Sequence, residues 1–252
     1  MNTQLKDRFL AGWEKYFPGA ELPIAFFYTD DPDHGEPARP GLGSHCLICE
    51  LSRVRQGRSL RFDEEAVRCG GGKRYLGFRQ EIRPDFKYFL SCGIPGELEG
   101  ERYVKSPEMV EELLKHHPPF QAPARYIVFK RWDGLNEADE PLVAIFFGLP
   151  DVLSGLFTLA NYDEVDPHGV IAPFGSGCAS IVDYPYHELA RDQPRAVLGM
   201  FDVSARPCVP AGVLTLAAPW PKLIRMVDNM EESFLITASW DKLRKRIRKE
   251  GA

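Results

Sequence analysis

Apolar residues recur every four positions near the start of the chain, at Leu5, Phe9, Trp13 and Phe17, before Pro18-Gly19 interrupts the pattern. This spacing predicts an amphipathic helix over residues 3–17. The aromatic run of residues 23–30 then predicts a strand, and residues 30–43, dense in Pro, Gly and Asp, predict a long irregular loop. Ser44 is placed to cap a helix over 45–56, in whose first turn Cys46 and Cys49 would share one face. SLRF reads as a short strand, 63–78 as a turn-rich segment, 83–93 as a helix with Gly93 at its C-cap, and the stretch from Ser106 as a capped helix with proline in its first turn.

After a proline-rich break near 118–124 the pattern changes to paired strands and helices. YIVFKRW and PLVAIFFG predict a hairpin across the polar loop DGLNEADE, followed by a helix in PDVLSGLFTLANYD. A glycine turn then feeds a helix in PFGSGCASIVDY, and two more strands, RAVLGMFD and GVLTLAAP, precede two closing helices. Strands that follow one another without an intervening helix point to an α+β fold, with a mixed, largely antiparallel sheet and flanking helices. We expect one compact domain over 1–252, with a sub-domain break near 118–124 as the variant: a cysteine-rich half (1–118) and a strand–helix half (124–252).

Composition narrows the function classes. With 252 residues, 44% hydrophobic and 27% charged, the chain can bury an ordinary core without staples. Its first residues mix charge with apolar positions, unlike a secretory signal or a membrane span, so the expected location is the cytoplasm and no membrane partner is expected. Thiols are kept reduced there, which turns the six cysteines from disulfide candidates into ligand, catalyst or core candidates. A net charge of −5 argues against a nucleic-acid partner, and the basic tail WDKLRKRIRKEGA reads as a helix C-terminus complementing its own dipole.

Cys46, Cys49, Cys69 and Cys92 form C-x2-C-x19-C-x22-C within the first half. Four soft thiolates suit zinc or an iron–sulfur cluster. Zinc ribbons use two C-x2-C knuckles, and only one is present here; Gly70, Gly71 and Gly72 beside Cys69 would let backbone amides approach cluster sulfurs. The leading expectation is therefore an iron–sulfur cluster held by Cys46, Cys49, Cys69 and Cys92, with structural zinc as its variant. A three-cysteine site completed by His45, Cys178 or an outside ligand is the nearest alternative arrangement. Buried cysteines with no metal are the plainer reading, Cys208 between prolines included. A thioredoxin-like C-x2-C is disfavoured because a fourteen-residue loop, not a strand, precedes it.

A second candidate site lies at Gly175, Ser176 and Gly177, whose amides at a helix start would suit an anionic small molecule, with Arg206 as a clamp for its carboxylate. Cys178 stands where a helix dipole lowers a thiol pKa, which makes it a candidate nucleophile or extra metal ligand. His168, Asp183 and His187 are near it in sequence. His116-His117 reads as a solvated helix end. Three functional classes follow: a metal-binding protein with an adjacent pocket for a small anion, a metal-free ligand-binding module, and a thiol enzyme using Cys178. The reaction stays open between electron transfer and Lewis-acid chemistry, and the oligomeric state is left open.

CLICELSRVRQG, CGGGKRYLGF, APFGSGCASI, RAVLGMFDVSAR and WPKLIRMVDNMEESFL together make the chain, from about residue 20 to 236, resemble the prokaryotic family called domain of unknown function 169, DUF169. The resemblance implies a single compact cytoplasmic domain in which the Cys-Gly-Gly region and the Gly-Cys turn recur. It implies no settled activity, so it carries no catalytic role onto any position.

Overall fold

The computed structural model describes residues 1–39 and 46–250. The expected cap at Ser44 and the variant ligand His45 lie outside the described residues. In chain order the elements are α1 (Thr3–Tyr16), β1 (Ile24–Thr29), β2 (Glu36–Pro37), α2 (Leu47–Arg55), β3 (Leu60–Phe62), α3 (Gly70–Tyr75), α4 (Phe86–Leu90) and α5 (Pro107–His116). They continue with β4 (Tyr126–Arg131), β5 (Val143–Gly148), α6 (Pro150–Ala160), β6 (Val170–Ile171), a π-helical stretch (Ala179–Asp183) running into α7 (Tyr184–Glu188), β7 (Ala196–Gly199), β8 (Leu214–Pro219), α8 (Trp220–Asp228) and α9 (Ala238–Glu250). Among the described residues no helix is long and apolar enough to cross a membrane.

The strands form one sheet in the order β2-β3-β4-β1-β5-β8-β7-β6. Only the outer pairs β2–β3 and β6–β7 are parallel, so the fold is α+β with a mixed, mostly antiparallel sheet. One expectation is corrected: β4 and β5 are not a hairpin. β1 lies between them, pairing Phe26 with Phe129 on one side and Ile24 with Ile145 on the other. The first and second halves of the chain therefore share one sheet.

Side chains alternate across the strands as a pleated sheet requires. Ile24 and Phe26, Val143, Ile145 and Phe147, and Ala217 belong to one buried cluster, while Ala25, Ala144, Phe146, Leu216 and Ala218 belong to another. The second cluster is roofed by α1, α6, α8 and α9. There Phe9, Trp13 and Phe17 of the α1 segment form a ladder, with Trp13 stacked on Phe17 at 4.6 Å between centroids and Phe9 against Trp132 at 4.1 Å. The basic helix α9 docks on the same face, with Trp240 buried, Arg244 donating to the Lys15 carbonyl and Arg246 paired with Asp151.

The opposite face is covered by shorter pieces, α2, α3, the π-helical stretch and α7. The π-helical stretch sits close against β7. A Cβ at Gly199 would fall 2.3 Å from Ser180 Cβ, so only glycine permits the approach. Ser180 Oγ accepts the amide of Met200, a residue held at φ +70°, and donates to the Gly177 carbonyl. The start of this helix is thus pinned to the sheet.

Candidate functional site

Three helix starts lie on the face covered by α2, α3, the π-helical stretch and α7, and each brings a cysteine. Cys46 is the N-cap of α2 and Cys69 the N-cap of α3, while Cys178 directly precedes the π-helical stretch. Ile48 of α2 lies over Gly177, and α3 packs against the π-helical stretch. Backbone amides reach the sulfurs. Gly72 donates to Cys69 Sγ at 3.2 Å, and the amides of Ile48 and Cys49 favour the thiolate of Cys46. Gly72 is required for this: a Cβ there would stand 2.8 Å from both Cys69 Sγ and Val67 Cγ1. The glycines after Cys69 therefore start a helix instead of the expected turn-rich segment.

Cys178 and Cys46 both feel the neighbouring charges of this corner. Burial pushes the Cys178 thiol well above its ordinary value, and negative charge on Cys69, Cys46 and Asp202 would push it further. Burial likewise raises Cys46, with Cys69 and Asp202 adding to the rise against the pull of the two amides. This corrects the expectation that a helix dipole lowers the Cys178 pKa: removal from water outweighs the dipole. A buried, protonated thiol is a poor nucleophile, which counts against Cys178 as the centre of a thiol enzyme.

The other expected ligands are placed elsewhere. Cys49 is bonded to Cys208 in a disulfide joining α2 to the 3-10 turn Arg206–Cys208, 159 residues away in sequence. Both the expected absence of disulfides and the inclusion of Cys49 in a four-thiolate set are corrected by that bond. Cys92 is exposed and its thiol donates to the Gly93 carbonyl; the charges that act most on Cys46 and Cys178 come from Cys69 and Asp202, not from Cys92. The helix over 83–93 is shorter than expected, ending at Leu90.

Several groups of the expected anion pocket bond to the protein itself. The Gly177 amide donates to Asp202 Oδ2 at 3.0 Å, Ser176 Oγ accepts the Ala179 amide, and Gly175 lies against the Tyr184 hydroxyl. Arg206 donates to the Val213 carbonyl. An internal carboxylate therefore takes the Gly177 amide, and one Arg206 nitrogen is bonded within its own loop.

A polar cluster lies farther along the same helix, and it joins Asp183 and His187, near each other in sequence, to His117, which is distant. Asp183, only 2% exposed, ends the π-helical stretch, and His187 follows it by one helical turn on α7. His117, the C-cap of α5, lies with Nε2 2.5 Å from Asp183 Oδ2 and its ring 4.8 Å from the His187 ring. It is therefore not a solvated helix end. Burial alone would raise the Asp183 carboxyl, but hydrogen bonds from His117 and His187 hold it below its usual range. His187 is raised chiefly by Asp183. Tyr75 links the two groups of residues: burial pushes its hydroxyl up to about 12, with Asp183 and Cys178 contributing. His168 is elsewhere, paired with Asp166 at the surface.

The fold and site define a class: an α+β protein whose sheet carries a thiol-lined corner beside a buried carboxylate with two imidazoles. The chain belongs to the DUF169 family, described as uncharacterised ArCR, which it matches over residues 20–229. No curated protein and no solved structure matches it.

Proposed function

We propose that this DUF169 protein is a metal-binding protein that holds an iron–sulfur cluster through Cys46, Cys69 and Cys178, the three-cysteine arrangement in place of the four-cysteine one. The observation that carries the reading is the convergence of three helix-start cysteines at one corner, with backbone amides directed at two of the sulfurs. Amide donors and a hydrophobic shell are what stabilise and tune such clusters. The shell is supplied by Leu47, Ile48, Val67 and Leu76, all buried.

The cysteine pattern favours a cluster over zinc. Zinc ribbons pair two C-x2-C knuckles, whereas the chain has one, and Gly70, Gly71 and Gly72 beside Cys69 suit the backbone amides that cluster sulfurs accept. With three protein sulfurs, one iron retains a position for an outside ligand, which supports Lewis-acid chemistry on a small anionic molecule over simple electron transfer.

Protein purified or reconstituted without oxygen is expected to be brown, with sulfur-to-iron charge-transfer absorbance and matching iron and acid-labile sulfide. Cys69→Ser and Cys178→Ser should each lose most of both, whereas Cys208→Ser, which opens the disulfide, should keep them. A colourless reconstituted protein without iron or sulfide would rule the cluster out, and stoichiometric zinc in its place would move the reading to the structural-zinc variant.

A further inference from the structure

The thiol-held centre leaves His117, Asp183 and His187 unused. One ligand atom from each lies within 4.8 Å of the other two. Asp183 and His187 are fixed by successive turns of one helix, and the local π geometry, an insertion often found at functional sites, aims the carboxylate inward. His117 arrives from the end of α5, 66 residues earlier.

An ion pair alone does not account for this cluster. The His117–Asp183 contact satisfies one carboxylate oxygen at 2.5 Å. His187 Nε2 is 3.4 Å from the other oxygen, a long and poorly aligned contact for a buried atom. A buried ring nitrogen held only through so loose an ion pair is incompletely satisfied, and an electrophile between the three side chains would bind it more closely.

We propose that His117, Asp183 and His187 form a second, mononuclear metal site for a divalent transition-metal ion of the zinc or ferrous class. Two imidazoles and one carboxylate suit those ions, whereas magnesium and calcium demand oxygen ligands. Metal–ligand bonds of about 2.0–2.2 Å place tetrahedral ligand atoms roughly 3.3–3.6 Å apart. The 3.4 Å separation at His187 already matches this, and His117, partly exposed at a helix end, would retreat from its 2.5 Å contact by about an ångström. Three protein ligands leave coordination positions for water and a substrate. The walls are aromatic: the His117 ring is 4.6 Å from Tyr184, and Phe120, 5.9 Å from His187, is stacked on Tyr186 at 4.2 Å. Such a lining suits a small substrate with an apolar or aromatic body and a group that can bind the ion.

This site does not depend on the cluster, and one titration separates them. Cobalt(II) added to the full-length protein is expected to bind at one ion per chain with weak ligand-field bands and without intense thiolate charge transfer, and zinc should displace it. The Cys69→Ser variant should give the same spectrum. Paramagnetic shifts and broadening should be largest at the ring nitrogens of His117 and His187 among the six histidines, with His168, paired with Asp166 at the surface, moved least. That readout needs no variant and so survives any folding defect. Losing a supporting residue costs a metal site about 10–100-fold in affinity, so His187→Ala and His117→Ala, checked for folding by near-ultraviolet circular dichroism, should each weaken cobalt binding by more than about 100-fold. Absence of binding, unshifted His117 and His187 rings, or cobalt binding abolished by Cys69→Ser would overturn the proposal. A protein lacking iron and sulfide would sink the cluster reading and leave this one standing.

Discussion

The two faces of the sheet bury similar amounts of apolar side chain and yet differ in kind. The face under α1, α6, α8 and α9 is built from large rings, with no cysteine in its buried cluster. Its buried charges are matched: Lys130 binds Asp139 at 2.7 Å and 3.0 Å, and Lys222 binds Glu164 at 2.6 Å. On the other face the roof is made of helix starts and a π-helical stretch, and although Glu188 is matched by Arg195, two buried groups are poised instead of matched. Cys178 is buried as a thiol whose ionisation is disfavoured, and Asp183 is shared by two histidines of which one is poorly bonded. Long helices present continuous apolar stripes, whereas helix starts present amides and short polar side chains. A sheet roofed differently on its two sides can therefore keep stability on one and chemistry on the other.

That division is testable first where the effect is largest. Phe9 is fully buried between Trp13, Trp132 and Phe146, so Phe9→Ala should cost about 3–5 kcal/mol in denaturant unfolding. Iron and cobalt bound per folded molecule should be unchanged. A loss of metal binding at equal foldedness would break the separation between the faces.

The chemical face should reveal itself at high pH. Burial raises the Tyr75 hydroxyl to about 12, and burial also raises Tyr28 and Tyr184. An unfolded tyrosine loses its proton near 10, so between about pH 10 and 12 the unfolded chain is favoured. The contribution of Tyr75 is intact below about pH 10 and is lost as pH rises toward its folded value, amounting to up to about 2–3 kcal/mol. Tyr75→Phe should flatten the alkaline limb of the stability curve by about that amount, read from unfolding midpoints across the range. An unchanged slope would mean that Tyr75 is solvated and this face looser than described.

Much of the architecture is legible along the chain because it rests on local rules. The four-residue apolar repeat of α1, Ser106 capping α5 and accepting the Met109 amide, and the aromatic run of β1 each carry their own signal. What escapes reading depends on partners distant in sequence. β1 displaces the β4–β5 hairpin by inserting between its strands, an arrangement that neither flank announces. β2 and β6 are two residues each, too short for any periodicity, and α3 begins in three glycines, the poorest helix formers after proline. The site follows the same rule. Cys46 and Cys69 stand out by spacing and by the adjacent glycines, and Cys178 by its turn. The bond from Cys49 to Cys208 and the approach of His117 to Asp183 are products of tertiary folding. One local hint was present: Asp183 and His187 are four apart on a helix, the spacing that places two ligands on one face.

The smallest expected effect is also the sharpest on the cysteines. Cys92 shares its residue type with Cys69 and lies in the same half of the chain, yet it is exposed, bonded only within its own turn, and adds nothing to the leading charges felt by Cys46 and Cys178. Substituting an exposed side chain of this kind changes stability by about 0.5 kcal/mol or less. Cys92→Ser should therefore match the parent in unfolding midpoint, iron, sulfide and cobalt, while Cys69→Ser, whose sulfur accepts the Gly72 amide, loses iron and sulfide. If Cys92→Ser lost them as well, the cluster would need a ligand from the α4 end of the molecule, and the corner built by three helix starts would have to open and draw that segment in.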